Sequence, residues 1–305
     1  MTWRWLSFAG ATATLAVLVW RLGSGPFLDG LRAVDGWALA AASALAMMTT
    51  VCCAWRWRIV SRALGVDLPL GTAVAAYYRS LFLNVTVPGG MLGDVHRGLS
   101  HGRHTSDIGR GLRGVVLERS AGQVVQVVLT VAVLLVLPSP VHAVMPFVAL
   151  ALVAVAACGA LAARRRGWLP ARHAWPAIVL ASALVLAGHT ATFMIAARSA
   201  GVSAPVSQML PLALLVMQAA ALPNVGGWGP REGVTAWAFA AAGIGASLGV
   251  ATAVAYGVMV FVASLPGAVV LVAAWLCRTR SAPWEGRLLL GALGVAARGD
   301  GVSDV

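Results

Sequence analysis

Long apolar runs, separated by short polar stretches, dominate the sequence. Six of them are long enough to cross the hydrocarbon core of a bilayer, which takes about 20 helical residues at roughly 1.5 Å each. These six segments are residues 5–20, 36–54, 112–137, 141–163, 175–197 and 247–277. The last contains Pro266 and Gly267, so we expect it to be tilted or kinked. The pattern predicts an all-α polytopic membrane protein with about six transmembrane helices.

Two further apolar stretches each end in a segment rich in glycine and proline. Residues 70–87 lead into PGGMLGD, and residues 206–222 lead into PNVGGWGPRE. Arginines flank the first stretch on both sides, which indicates that the chain enters and leaves the membrane by the same face. We therefore predict a re-entrant hairpin at about 68–97 and a second one, which enters from the opposite face, at about 206–245.

Each half of the chain then repeats the order helix, hairpin, helix. If the N-terminus is cytoplasmic, the first repeat consists of helix two, the first hairpin and helix three. The second repeat consists of helix five, the second hairpin and helix six, and it has the opposite orientation in the membrane. Inverted repeats whose broken elements meet near the midplane are typical of secondary transporters. We predict one integral membrane domain over residues 1–277 and a short cytoplasmic tail over residues 278–305.

Composition supports this assignment and explains the charge. The chain is 60% apolar and 10% charged, with a mean hydropathy of +0.85, which lies outside the range of soluble domains. The net charge of +12 comes from arginines that gather at the ends of apolar runs, as the positive-inside rule predicts. We attribute it to membrane orientation and not to nucleic-acid binding. The four cysteines have neither metal-ligand nor disulfide spacing, and we expect no cofactor or metal.

Both predicted hairpin tips carry candidate groups for binding an anion. Non-helical backbone is tolerated at membrane depth only where protein buries it or a watery cavity reaches it. Glycines there can leave backbone N–H groups open toward an anion, and an arginine in each tip suits a lipid phosphate. The alternative is that both segments are ordinary tight turns that bind no anion. The tip candidates are Pro88, Gly89, Gly90, Gly93, Asp94 and Arg97, and Pro223, Gly226, Gly227, Gly229, Arg231 and Glu232.

Three more charged residues lie inside apolar segments, where a charge costs about 2.5–3.5 kcal/mol on insertion scales. Arg79 lies in the middle of the first hairpin, and Glu118 and Arg119 lie near the start of helix three. Glu118 can pair with Arg113, Arg119 or Arg79. A structural ion pair explains these residues as well as a headgroup site does.

Acidic neighbours accompany both tip arginines. Asp94 precedes Arg97 by three residues, and Glu232 follows Arg231 directly. We expect each carboxylate to orient its arginine.

Four polar residues after the first tip offer imidazole and carboxylate groups. Their spacing fixes no coordination geometry, so a solvated cytoplasmic loop is favoured over a metal site. The four are His96, His101, His104 and Asp107.

Taken together, four motifs resemble the lysylphosphatidylglycerol synthase transmembrane region. This flippase-like family also forms the N-terminal part of bacterial multiple peptide resistance factors. The motifs are WRWR (55–58), NVTVPGGMLGDVHR (84–97), ER (118–119) and LPNVGGWGPRE (222–232). The resemblance covers about residues 37–277 and implies a bacterial plasma-membrane protein that moves a phosphate-bearing lipid between leaflets. Because 28 residues follow Cys277, we expect no soluble aminoacyltransferase domain.

Three functions fit these observations. The first is a lipid translocator for an anionic phospholipid or a polyprenyl-phosphate lipid, without direct use of ATP because no nucleotide-binding motif occurs. The second is a membrane transferase for a polyprenyl-linked sugar, which would use Asp29 or Asp35. The third is a non-transporting partner of lipid- or glycan-synthesis enzymes. We favour the first, because an accessory protein needs no costly buried arginines. The sequence leaves the oligomeric state open.

Overall fold

The computed structural model describes residues 2–87, 90–104, 107–153, 165, 172–221, 224 and 227–277. Nearly all regular structure in these ranges is α-helical. In chain order the helices are α1 (Thr2–Leu22), α2 (Gly25–Arg32), α3 (Gly36–Ala63), α4 (Leu70–Thr86), α5 (Leu92–His104), α6 (Ile108–Val136), α7 (His142–Val153), α8 (Trp175–Ser199), α9 (Val206–Ala220), α10 (Pro230–Ala241), α11 (Ala246–Ser264) and α12 (266–277).

The chain is an all-α polytopic membrane protein, as predicted. Among the described residues, four runs are long and apolar enough to span a bilayer, namely α3, α6, α8 and the continuous stretch Ala246–Cys277. The last comprises α11 and α12, which are separated at Leu265, next to Pro266. The expected tilt or kink stays a prediction. Of the other predicted crossings, residues 5–20 lie in α1 and residues 141–163 are described only as far as Val153. These two crossings stay predictions, as do the domain limits. The predicted tail lies outside the described residues.

Two of the spanning helices extend beyond their apolar runs, so the predicted ends are wrong. α3 continues past residue 54 to Ala63, and α6 begins at Ile108, before residue 112. Three arginines in these extensions are paired, since Arg56 binds Glu118, Arg62 binds Asp67 and Arg110 binds Asp107. Asp107 also accepts a hydrogen bond from Arg110 N at 2.8 Å and caps α6. A prediction from hydropathy ends a helix where charged residues begin. The helix itself can continue through charged residues that are capped or paired.

Two helical hairpins, α4–α5 and α9–α10, occupy the predicted positions. The first is longer than expected, and its second arm already begins at Leu92, so Gly93, Asp94 and Arg97 are helical. The prediction that PGGMLGD is unwound throughout is therefore wrong for its last residues. Asn84 explains the helix start, because its Oδ1 accepts from Gly93 N and its Nδ2 donates to Asp94 Oδ2, both at 2.8 Å.

The two halves of the chain form equivalent helix pairs. Within each half, α3 packs on α4, α4 on α5 and α5 on α6, just as α8 packs on α9, α9 on α10 and α10 on α11. Between the halves, α3 packs on α11 as α8 packs on α6, and α4 packs on α11 as α9 packs on α6. This equivalence agrees with the predicted internal repeat. The face from which each hairpin enters the membrane stays a prediction.

Candidate functional site

A buried carboxylate, Glu118 of α6, joins three helices of the first half. Arg56 of α3 donates from Nε and Nη2 to its Oε1 at 2.9 and 2.5 Å, and Tyr77 of α4 donates to the same oxygen at 2.8 Å. Arg97 of α5 donates from Nη2 to Oε2 at 3.1 Å. Arg56 also donates from Nη1 to Ser182 Oγ of α8 at 2.9 Å, so the network reaches the second half. Such charge-assisted bonds are the stronger class of hydrogen bond.

Asp94 extends this network toward an open side. Its Oδ1 accepts from Ser80 at 3.1 Å and from Arg97 Nη2 at 3.0 Å, and its Oδ2 lies 2.5 Å from Arg119 Nη2. The Arg119 side chain is 46% exposed, whereas the Glu118 side chain is fully buried. Three guanidinium groups therefore meet two carboxylates, which leaves one positive charge in excess.

Arg97 is the most enclosed arginine of this network. It is 1% exposed, and its guanidinium carbon lies 4.5 Å from the centroid of the Trp57 ring and 4.0 Å from that of Tyr77. In the described part of the chain, its Nε and Nη1 have no hydrogen-bond partner. Arg97 also lines a cavity of about 400 Å³, together with Arg79 and His101. Two of its three nitrogen atoms can therefore donate hydrogen bonds to water or to a ligand.

The second hairpin carries a similar cluster. Arg231 of α10 donates from Nε and Nη2 to Glu232 Oε1 at 2.9 and 2.5 Å. Its guanidinium carbon lies 5.5 Å from the centroid of the Trp228 ring and 5.3 Å from that of Tyr256. Glu232 Oε2 accepts from Gly229 N at 2.7 Å and holds the start of α10. Each hairpin thus holds an arginine near a tryptophan and a tyrosine, but in this second cluster one guanidinium meets one carboxylate.

A glycine makes room for one arginine in each cluster. A Cβ built on Gly122 of α6 would lie 2.5 Å from Arg56 Nη1, and a Cβ built on Gly257 of α11 would lie 2.5 Å from Arg231 Nη2. Any larger residue at either position would push on a guanidinium group that is held by hydrogen bonds. The two glycines occupy equivalent helices of the two halves.

A central cavity of about 460 Å³ lies between the two halves. Its wall comes from α3, α4 and α6 of the first half and from α8, α9, α11 and the residue after α9 of the second. His189 Nδ1 lies 3.1 Å from Tyr256 Oη, which links this wall to the second cluster. The polar lining residues are Arg56, Tyr77, Arg119, Ser120, Gln123, Gln126, Ser182, His189 and Tyr256.

The tips of the two hairpins meet. Gly90 of the first tip has φ +62°, and a Cβ built on it would lie 2.9 Å from Asn224 Oδ1 of the second tip. The same Asn224 oxygen accepts from Gly227 N at 2.8 Å. Glycine suits this position, because any other residue would be strained at this φ and its Cβ would displace the Asn224 side chain. Broken elements thus meet between the halves, as the sequence pattern predicts.

Comparison with known families decides what kind of membrane protein this is. The family model described as "Lysylphosphatidylglycerol synthase TM region" matches residues 4–267. The chain belongs to this family. No curated protein and no solved structure matches it. The resemblance inferred from the four motifs is confirmed, and the family supports a role connected with membrane lipids.

In this lysylphosphatidylglycerol synthase TM region, the structure brings Asp94, Arg97, Glu118 and Arg119 into one network. The expected pairing of Asp94 with Arg97 is confirmed. The expected partners of Glu118 are wrong, since it binds Arg56 and Arg97, which α3 and α5 bring to it. An ion pair across helices cannot be deduced from spacing along the chain.

The outcome in the second tip is similar. The expected pairing of Glu232 with Arg231 is confirmed. Arg231 and Glu232 lie apart from the first network, and Tyr256 and His189 connect them to the central cavity. Arg79 lines the smaller cavity beside Arg97.

The predicted nest of open backbone N–H groups is wrong for three of its glycines. The N–H groups of Gly93, Gly227 and Gly229 each donate to a side chain of the same hairpin at 2.7–2.8 Å. Asparagine and glutamate side chains near a helix start satisfy the free N–H groups that an anion would otherwise bind. Four tip candidates lie outside the described residues, namely Pro88, Gly89, Pro223 and Gly226.

Sequence reasoning missed the aromatic residues and one arginine of the site. Arg56 and Trp57 lie in the WRWR motif, which indicated the family but was assigned no contact. The chain has three tyrosines, and two of them, Tyr77 and Tyr256, lie against the buried arginines. A rare polar aromatic residue inside an apolar segment is the signal that could have identified both.

Two of the four residues considered for a metal site have structural roles. Asp107 caps α6, and the His101 ring packs edge-on against Trp57 with 5.2 Å between centroids. Among the described residues, no group of three His, Cys, Asp or Glu could hold a metal ion. The predicted solvated loop is instead the last part of α5 and its connection to α6.

Proposed function

We propose that this protein moves a phosphate-bearing amphiphilic lipid between the leaflets of the bacterial plasma membrane, with both termini in the cytoplasm. Its substrate would be an anionic phospholipid or a polyprenyl-phosphate lipid. The observation that carries this proposal is the central cavity, where Arg56 and Arg119 lie on the boundary between the two halves. The family's connection with membrane lipids supports the same role.

The chemistry of the cavity suits a lipid headgroup. Its volume falls within the range of about 300–1,000 Å³ that is usual for small-molecule sites. The excess positive charge of the adjoining network would be balanced by one phosphate, whose oxygens accept well from guanidinium groups. The acyl chains would stay in the bilayer while the headgroup crosses between the halves.

Besides the packing of helices such as α3 on α8, side-chain hydrogen bonds join the halves, and a rocking motion could break and re-form them. The bond from Arg56 to Ser182 joins α3 to α8, and Gln126 Nε2 of α6 donates to Met217 O of α9 at 3.1 Å. Rocking of one repeat against the other around a fixed site is the usual motion of repeat-built transporters. The driving force would be the lipid gradient, protons or the membrane potential.

The transferase alternative would require Asp29 or Asp35 at the site. Both are exposed, and neither lines the central cavity. Asp35 accepts from Ala38 N at 2.7 Å and caps α3, which accounts for its presence. No observation favours this alternative.

Arg119→Gln tests the proposal, because the side chain is half exposed and its loss should leave the fold intact. In vesicles with fluorescent phosphatidylglycerol and a membrane-impermeant quencher, we expect the wild type to expose inner-leaflet lipid. A hydrogen bond to a charged group is worth about 1.5–3 kcal/mol, so exchange should slow about 10- to 150-fold.

The matched control is Arg110→Gln, which removes an exposed arginine paired with Asp107 at the start of the same helix. It should exchange lipid at the wild-type rate. If the wild type moves neither phosphatidylglycerol nor a polyprenyl phosphate faster than empty vesicles do, the proposed function is wrong.

A further inference from the structure

An imidazole of the second half faces the central cavity. His189 of α8 is partly buried, lines this cavity, and lies in none of the four motifs that indicated the family. Ionisable residues are costly within transmembrane segments, and in transporters they mark substrate or proton pathways. Imidazole is also the side chain that ordinarily changes its charge between about pH 5 and 8. His189 is therefore a candidate proton-binding group inside the membrane.

The hydrogen-bond partner of His189 suits both protonation states. His189 Nδ1 lies 3.1 Å from Tyr256 Oη, and Tyr256 Oη lies 3.7 Å from Met217 Sδ. When the imidazole is neutral with its proton on Nε2, Nδ1 accepts from the Tyr256 hydroxyl. When a second proton binds at Nδ1, that N–H donates to Tyr256 Oη, and the hydroxyl hydrogen turns to the weak thioether acceptor of Met217. Proton uptake thus requires only the rotation of one hydroxyl hydrogen.

The charged groups around His189 are arginines. A positive charge on the imidazole would share the cavity with Arg56 and Arg119, and Arg231 lies behind Tyr256, 5.3 Å from the centroid of its ring. Among the described residues that line the cavity, none is a carboxylate, and α9 contributes no titratable group. The titratable and charged lining residues from α3, α4, α6 and α11 are Cys53, Arg56, Tyr77, Arg119 and Tyr256.

An anionic headgroup changes this balance. The nearest carboxylate of α6, Glu118, is already bound by Arg56, so it does not offset a charge on His189. A phosphodiester in the cavity brings one negative charge, which offsets the one positive charge in excess in the adjoining network. Anion binding therefore favours the protonated imidazole. By thermodynamic reciprocity, a protonated imidazole strengthens binding of the anion by the same factor.

We propose that His189 takes up a proton when an anionic headgroup binds in the central cavity, so that the protein carries a proton and an anionic lipid together. This inference rests on the proposed function and names its coupling ion. The proton comes from water on the side where the headgroup enters and returns to water on the side where the headgroup leaves. A phosphodiester lipid and one proton have no net charge, so this transport moves no charge across the membrane.

Calorimetry counts the protons that are taken up on binding. Short-chain phosphatidylglycerol, whose phosphodiester does not titrate near neutral pH, is added to the protein in detergent in two buffers of different ionisation enthalpy. The difference between the two binding enthalpies gives the number of protons bound per lipid. If protonation strengthens binding about tenfold, uptake by the wild type should peak near about half a proton per lipid between about pH 5 and 8.

Three variants locate the proton. His189→Gln keeps a polar side chain but cannot titrate, so its proton uptake should be lost at every pH. Tyr256→Phe keeps the imidazole but removes the acceptor of its Nδ1–H, so uptake should fall below half of the wild-type value. The matched control is His142→Gln, which removes an exposed imidazole at the start of α7 that does not line the central cavity. It should take up protons as the wild type does.

A pH gradient across vesicles tests whether the proton and the lipid move together. Potassium and valinomycin on both sides hold the membrane potential at zero, and the interior is made one pH unit more alkaline. In wild-type vesicles, labelled phosphatidylglycerol should accumulate about tenfold in the inner leaflet, because one pH unit is a tenfold ratio of protons. With His189→Gln it should distribute equally. Vesicles without protein measure the passive redistribution.

The outcomes separate this inference from the proposed function. Lipid exchange by the wild type without proton uptake and without accumulation would overturn the inference while the transport function stands. Proton uptake that depends on His189, without any lipid movement, would overturn the function while the proton site stands. Wild-type uptake in His189→Gln would overturn the inference, since another group would then bind the proton. If that variant does not fold, the wild type and Tyr256→Phe decide.

Discussion

Glu118→Ala is expected to destabilise the protein by about 3–5 kcal/mol and to abolish lipid exchange, because removing one member of a buried ion pair leaves the others uncompensated. Arg56 and Arg97 would both lose their shared carboxylate, and Tyr77 would lose the acceptor of its hydroxyl. Whole domains are stable by only about 5–15 kcal/mol, so this loss is a large share of the total. The network also joins α3, α4, α5 and α6, so the first half should loosen as a unit.

Unfolding in detergent, followed by tryptophan fluorescence, measures this effect. The matched control is Asp67→Ala, which removes the carboxylate of the exposed pair with Arg62 and should cost at most about 1 kcal/mol. Equal stability of the Glu118 and Asp67 variants would show that the buried network does not hold the fold.

Gly122→Ala is expected to have the second largest effect. The added methyl group would lie 2.5–2.7 Å from three atoms of the Arg56 guanidinium group, which is held by Glu118 and Ser182. Overpacking of this kind costs about 1–3 kcal/mol. Because the displaced arginine lines the central cavity, lipid exchange should fall by a larger factor than stability alone explains.

Gly71→Ala is the control, since its Cβ would meet nothing within 4 Å and its position is also helical. That change should be neutral or should stabilise α4 by up to about 1 kcal/mol. The unfolding midpoint and the exchange rate are measured for both variants. If the two variants have the same unfolding midpoint and the same exchange rate, Gly122 does not confine the Arg56 guanidinium group.

Much of the fold could be predicted from the sequence because a bilayer imposes simple requirements. Runs of about 20 apolar residues must be helical in lipid, and the segments that became α3, α6, α8 and α11–α12 satisfied this requirement. The proline and glycines after residues 87 and 222 marked where the hairpins turn. These signals are local, so one sequence is enough to detect them.

The contacts of the site could not be predicted because they depend on how helices pack. Glu118 and Arg56 are 62 residues apart, and neither shows a spacing that points to the other. Asn84 turned an expected loop into a helix start through two side-chain bonds that hydropathy cannot detect. The Trp228 ring lies near the Arg231 guanidinium group as the Trp57 ring lies near that of Arg97, and nothing in the spacing of the two motifs predicts this similarity.

The two halves share a plan but differ in charge. The first cluster has three arginines and two carboxylates, whereas the second pairs Arg231 with Glu232 alone among its described contacts. An anionic headgroup should therefore bind more tightly beside the first cluster and less tightly beside the second.

Occupancy of the central cavity by a lipid headgroup is the claim on which the account depends. It can be measured with a Ser120→Cys variant whose four native cysteines are replaced by alanine. A small water-soluble thiol reagent should modify this cysteine, and short-chain phosphatidylglycerol should slow the reaction in proportion to its concentration. Adding Arg119→Gln should remove the protection. If the reagent modifies this cysteine equally fast with and without lipid, the account is contradicted, because the headgroup then does not enter this cavity.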